Sequence, residues 1–226
     1  MDERQRAAFW DTIRILDEAR VLPYVMVIGS WAEYLYSYYF EPGFMPDIRT
    51  RDVDFLYPNI RRPAPPIQLE TRMKEAGFAV DRDTLTDVVR MFKEDLLEIE
   101  FLTRQTGAGR ETAMDIPAIG IRGQSLRDVN LLAQHPLPIS AEGFCILVPE
   151  PSIYVLQKIL IQPHRVPASK RPKDIESVRN ILPYVLRSER DAERLERALK
   201  ECTKKELRII REVCKTHFIP FPFSEI

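Results

Sequence analysis

Cysteine is scarce in this 226-residue chain. Cys145, Cys202 and Cys214 are odd in number and none stands in CxxC spacing. No disulfide framework can be read from them, and a reduced, cytoplasmic setting is the plain expectation. Histidine is equally thin. His135, His164 and His217 are scattered, none with a partner at metal-ligand spacing, so structural roles are expected for them. No Ser-His-Asp or Cys-His arrangement is legible. No stretch is long and apolar enough to span a bilayer, which excludes a membrane partner of that kind. The start, Met1 to Arg6, is a charged helix beginning without a signal-peptide apolar region. Internal repeats and low-complexity runs are absent. Charge of either sign is not in excess: 33 Lys and Arg stand against 34 Asp and Glu. A net charge of −1 excludes a protein that coats nucleic acid by bulk charge, while leaving room for a local basic groove.

What is present suffices for a packed core, with an apolar fraction of 45%. Ala8, Phe9, Thr12, Ile15, Leu16 and Ala19 recur at helical spacing and predict a helix over 3–20, stopped by Pro23. Val25 to Ile28 reads as a buried strand, Gly29-Ser30 as a tight turn, and Trp31 to Phe40 as a helix, with Trp31 in the core. Val53, Phe55 and Leu56 are strand-like. Pro58 to Pro66 is a connector. Ile67 to Ala76 reads as a helix capped by Gly77. Val88 to Phe92 and Leu96 to Thr103 predict a hairpin turning at Lys93-Glu94-Asp95. Residues 104–115 read as a loop, and Ala118 to Ile121 and Phe144 to Val148 as short strands. From Pro149 the pattern turns helical, near 150–162, 172–186, 189–200 and 203–217. The expected class is therefore α/β (α+β): a mixed sheet flanked by helices over 1–148, and a helical region over 149–226. A nucleotide is expected in a cleft between them.

The chemistry concentrates in three places. Asp52 and Asp54 stand two apart on one strand, so both carboxylates share a face while Val53 and Phe55 turn inward. Like charges so held repel unless a cation intervenes, and oxygen ligands suit Mg²⁺. In Leu96 to Leu102, Leu97, Ile99 and Phe101 share one face, and Glu98 and Glu100 the other, either as a solvated edge or as a third ligand for two metals. Gly29-Ser30, at a helix start, offers N–H groups and a hydroxyl to a phosphate. Arg49 and Arg51 flank Thr50 just before the acids, as salt-bridge partners or phosphate contacts. Lys158 lies in an otherwise apolar helix. It either snorkels to water or reaches a triphosphate. From Lys158 to Lys173 there are five Lys or Arg and no acid, a solvated surface or a phosphate-binding one.

The runs VIGSWAEYLY, RTRDVDFLYP and LEIEFLTR together resemble the polymerase-β-like nucleotidyltransferase superfamily, and most of all its bacterial AbiEii-type branch, which includes toxins of toxin–antitoxin systems. The likeness spans roughly residues 20–185. It implies a nucleotidyltransferase fold and an enzyme of the nucleotidyltransferase class, using two Mg²⁺ ions and an NTP, ATP included. It implies Gly29 and Ser30 as the phosphate-gripping turn and Asp52 and Asp54 as metal ligands. Glu100 matches the third carboxylate, with Glu98 its competitor on the same face. Lys158 matches the helix lysine downstream, and Lys173 and Asp174 the later Lys-Asp pair. The acceptor could be tRNA, a small molecule or a protein, and an antitoxin is an expected partner. A non-catalytic nucleotide-binding or protein-interaction module of the same fold is the alternative.

Overall fold

The computed structural model describes residues 2–40, 43–46, 50–63, 65–105, 112–127 and 129–221. They form two compact units, Met1–Val148 and Pro149–Ile226. In the first unit, helix α1 (Glu3–Glu18) starts where the Asp2 side chain accepts from the Gln5 N–H at 2.7 Å. It ends at Arg20, whose φ of 57° lets the Val21 and Arg20 N–H groups bond back to the carbonyls of Leu16 and Asp17. Arg20, and not Pro23, therefore stops it. Pro23 lies in the 3-10 turn Leu22–Tyr24 that follows.

Strand β1 (Met26–Ile28) leads through Gly29 into α2 (Ser30–Leu35). The helix expected as far as Phe40 instead tightens into a 3-10 turn over Tyr36–Tyr38. Ser37 helps explain why, since its hydroxyl donates to the Tyr34 carbonyl at 2.6 Å in competition with the backbone. There follow β2 (Asp52–Tyr57), α3 (Leu69–Glu75), β3 (Ala79–Arg82), β4 (Val89–Lys93), β5 (Leu97–Arg104), β6 (Ala113–Ile116), β7 (Ile121–Leu126), α4 (Asn130–Gln134), β8 (Pro136–Ala141) and β9 (Phe144–Pro149). Gly77 caps α3 as expected: with its φ of 81°, the Phe78 N–H reaches the Met73 carbonyl.

Two local expectations change. Residues 104 and 113–115, expected in a loop, belong to β5 and β6, while 106–111 lie outside the described residues. Ala118 to Gly120 form a turn, and the strand begins only at Ile121. Polar residues and Gly123 hide that strand in the sequence. Gly123 is there because β7 runs close to β5: a Cβ would come within 2.6 Å of the Phe101 carbonyl.

The sheet is mixed, in the order β3-β4-β5-β2-β1-β9-β8, with the β6-β7 hairpin joined to β5 through β7. Two pairings set everything near the acids: β2 runs parallel to β5, and β5 antiparallel to β4. On one face, Val53, Phe55, Ile99 and Phe101 are buried, with the two phenylalanine rings stacked at 5.5 Å. Between the helices, Phe9 of α1 stacks on Trp31 of α2 at 4.2 Å, which confirms Trp31 in the core.

The second unit is helical: α5 (Pro151–Ile161), α6 (Arg171–Arg187), α7 (Glu189–Glu201) and α8 (Lys204–Thr216). Apolar α5 packs against the other three. Ser188 caps α7, and Thr203 with Glu206 forms a reciprocal capping box on α8. Among the described residues, no helix is long and apolar enough to cross a membrane.

Phe55→Ala should remove a side chain that is 0% exposed and lower stability by about 3–5 kcal/mol. Thermal unfolding followed by circular dichroism measures it. A midpoint unchanged from the native chain would contradict this account of the core.

Candidate active site

The acids meet because of strand register. The parallel pairing aligns Asp52 with Glu98 and Asp54 with Glu100. Alternation then sends all of these carboxylates to the face opposite the Phe55–Phe101 stack. Asp52 is exposed, and Asp54, Glu98 and Glu100 are half-buried. Adjacent strands lie about 4.8 Å apart, so the arrangement is a patch of closely spaced negative charge.

The Gly29 turn is built onto this patch. Ile28 of β1 pairs with Asp54, so the turn follows directly beside that acid. Gly29 has φ 67° and ψ −152°, a conformation that side chains resist. A Cβ there would stand 2.8 Å from Asp54 Oδ2. The glycine is therefore required twice, by backbone shape and by the carboxylate pressed against it. Ser30 is the first residue of α2 and half-buried, and its hydroxyl has no hydrogen-bond partner among the described residues.

Arg90 on β4 was not picked out by sequence reasoning. It pairs with Glu100 in the antiparallel register. Its Nε lies 2.8 Å from Glu100 Oε1, and its guanidinium 3.7 Å from Glu98 Oε1. The signal lay in the hairpin: once Val89 and Met91 point into the core, Arg90 must share the face of the glutamates. Arg51, expected beside the acids or on a phosphate, donates instead to the Asp95 carbonyl at 3.0 Å. Arg49 lies outside the described residues. From α1, the Gln5 amide donates to the carbonyls of Thr50 and Leu96 at 2.8 and 3.3 Å, tying together the entries to both acidic strands.

Lys158 and Lys173 belong to the second unit. Lys158 is only 13% exposed and donates to Asp174 Oδ1 at 2.6 Å. It does not snorkel freely: Asp174 is buried, and Lys158 is its nearest counter-charge. Arg165 Nε also comes within 3.0 Å of Asp174 Oδ2, as a charge contact without hydrogen-bond alignment. Lys173 is exposed, and its ammonium has no partner among the described residues.

A family model described as "Nucleotidyltransferase" matches residues 9–204. The chain belongs to this nucleotidyltransferase family. No curated protein matches it. Among solved structures it is similar to an antigenic nucleotidyltransferase-like protein from Paracoccidioides brasiliensis, at 15% identity over 92% of each chain and a TM-score of 0.49. It is also similar to the antibiotic-resistance factor ANT(2'')-Ia in solution, at 15% identity over 89% of this chain and 94% of that one, TM-score 0.46. A crystal structure of ANT(2'')-Ia in complex with adenylyl-2''-tobramycin gives 11% identity over 95% and 99% of the two chains, TM-score 0.46. Likenesses at that level carry no functional inference.

The acid face offers oxygen donors only, of the kind a hard divalent cation takes. Among the described residues, no three or more His, Cys, Asp or Glu side chains are gathered into a group that could hold a metal ion. The sheet order accounts for part of this, because Arg90 engages Glu100 from the flank opposite Asp54.

Two substitutions test the local geometry. Gly29→Ala should cost about 2 kcal/mol or more from backbone strain and displace the Asp54 carboxylate. Denaturant unfolding gives the cost, and a neutral result would reject the strained turn. Lys158→Ala leaves Asp174 buried with Arg165 alone and should lower stability by about 3 kcal/mol. The same measurement on Lys173→Ala, at an exposed position, should give a change below about 0.5 kcal/mol.

Proposed function

We propose that this nucleotidyltransferase moves a nucleoside monophosphate from an NTP to an acceptor in a Mg²⁺-dependent reaction of the EC 2.7.7 kind. The observation that carries the reading is the parallel register of β2 on β5, which sets Asp54 beside Glu100 with Gly29 pressed against Asp54. In this reading Asp52, Asp54 and Glu100 would hold two Mg²⁺ ions. Bound there, the metal would offset the charge of the triphosphate and polarise the α-phosphorus. Gly29 and Ser30 grip the β- and γ-phosphates through backbone N–H groups and the hydroxyl. The acceptor oxygen attacks the α-phosphorus in line, the bond to the bridging oxygen breaks, and pyrophosphate leaves with its electron pair. Such a step asks of the protein mainly positioning and charge.

On the strength of the sequence pattern, the proposal extends to Lys158 and Lys173 as cations for the nucleotide, with Lys158 also serving Asp174. It extends likewise to the AbiEii-type branch, a cytoplasmic setting, and an antitoxin as protein partner. The acceptor is tRNA, a small molecule or a protein. A non-catalytic nucleotide-binding module is favoured by one observation, the engagement of Glu100 by Arg90. Tight NTP binding without turnover would select it.

Asp52→Asn and Asp54→Asn should each abolish pyrophosphate release. Relief of carboxylate repulsion should leave their melting midpoints in metal-free buffer unchanged or raised. Native-level turnover in both variants would overturn the metal-site reading. In the same assay, Glu100→Gln should be more damaging than Glu98→Gln. The reverse order would move the third-ligand role by two residues.

A further inference from the structure

We propose that the end of α8 carries a binding site for single-stranded RNA, in which the Phe218 ring stacks on a base and the cations around it hold the adjoining phosphates. The site lies wholly within the helical unit and needs nothing from the acid face.

Phe218 itself calls for a ligand. It closes α8 with φ 51°, in the left-handed region where a side chain is strained and glycine is the usual occupant. The Ile219 N–H bonds to the Cys214 carbonyl at 2.9 Å and the Phe218 N–H to that of Lys215 at 3.4 Å, so Phe218 is the left-handed residue of a helix-closing turn. Among the described residues, the other non-glycine residues with positive φ are Arg20, Asp87, Glu94 and Glu142, all charged. Phe218 is apolar, yet its ring gains nothing from packing, being 90% exposed. A side chain that strains the backbone and stays in water does not serve the fold.

Its surroundings are cationic. Phe218, Arg211 and Lys215 line a hollow of about 400 Å³. A second, of about 490 Å³, lies between α6 and the same end of α8, with Arg171 and Arg179 in its wall. Arg179 links the two, donating to the carbonyl of His217, the residue before Phe218, at 2.7 Å. Arg171 donates to the Pro163 carbonyl at 3.1 Å. Among the described residues neither arginine is paired with a carboxylate, and exposed Lys215 is likewise without one. Arginines held by carbonyls keep their charge and their remaining donors for a phosphate.

Two features choose the ligand. A protein partner needs a continuous apolar core, but Val213, Cys214 and Ile219 are buried, which leaves a single exposed ring among cations. An aromatic face beside a charged hollow suits an unpaired nucleotide strand. Among the described residues, the one acid lining either hollow is Glu212. It repels a phosphate, but its carboxylate can accept from a ribose 2′-hydroxyl, which deoxyribose lacks. RNA is therefore favoured over DNA.

The test is fluorescence anisotropy of a labelled RNA of about 12 nucleotides with the full chain. It is run without NTP or metal ion, so its outcome is separate from that of the proposed transfer. Circular dichroism and thermal unfolding check the fold of each variant. Phe218→Leu should weaken RNA binding about tenfold, whereas Phe218→Tyr, which keeps the ring, should bind as the native chain does. Phe218→Gly should lose as much affinity while raising the melting midpoint, because glycine relieves the strain. A residue serving only the fold would lower that midpoint when replaced. Arg171→Gln and Lys215→Gln should each reduce the slope of log affinity against log salt by about 0.7. DNA of the same sequence should bind more weakly, and Glu212→Ala should narrow the difference. Native affinity in Phe218→Leu, or a native chain that binds no RNA, would overturn the inference. Equal affinity for DNA would overturn the choice of RNA. Polyglutamate bound as tightly as RNA would overturn it in favour of an acidic protein. A dimer lost in Phe218→Gly, with no RNA bound, would overturn it in favour of a second copy of the chain.

Discussion

The parallel pairing of β2 with β5 is the constraint on which the acid face depends. Val53, Phe55, Ile99 and Phe101 are buried together, and that burial fixes which side of the two strands faces inward. A slip of one residue in either strand would send its apolar side chains to solvent and its acids into the core, a change no local interaction could offset. Once the core chooses the face, the carboxylates have no freedom to separate. Asp52 must stand beside Glu98 and Asp54 beside Glu100. Hydrophobic packing on one face thus holds charges together on the other that would repel if left alone.

The neighbouring elements act on that patch in different ways. Gly29 brings the β1–α2 turn against Asp54, which a residue with a side chain would prevent. Gln5 bridges the backbone at the entries to both acidic strands, so the fixed end of α1 contributes to their alignment. Arg90 supplies positive charge to the glutamate strand from its far side. In the proposed reading, a divalent cation on the near side would complete the compensation of charge.

The helical unit is organised around a different buried charge. Asp174 sits near the start of α6, almost wholly enclosed, with Lys158 from α5 and Arg165 from the intervening segment against it. Of the basic residues between Lys158 and Lys173, these two are therefore engaged within the unit. Lys170 and Lys173 remain exposed. A basic run that looks uniform in sequence is divided by folding into cations that balance a buried carboxylate and cations that face water.

What could be read in the sequence was what repeats locally. The period-two alternation around Asp52-Asp54 and Glu98-Glu100 revealed both strands and their acidic faces. Helical spacing revealed α1 and the four helices of the second unit. The Gly-Ser, Asp-x-Asp and Ile-Glu-Phe-Leu runs revealed the nucleotidyltransferase family. Strands whose outer residues are polar or that carry a glycine, such as β3, β7 and β8, stayed hidden, because their formation depends on a neighbour already in place. Arg90 stayed hidden for the same reason, since its nearness to Glu100 depends on the register of β4 on β5. Lys158 looked like a cation without a partner because Asp174 lies sixteen residues away and meets it only when α5 and α6 pack. The sequence by itself determined which residues alternate, which turn and which carry charge. Only the tertiary structure decided which charges meet, because strand register and helix packing follow from burial summed over the whole unit and not from any local pattern.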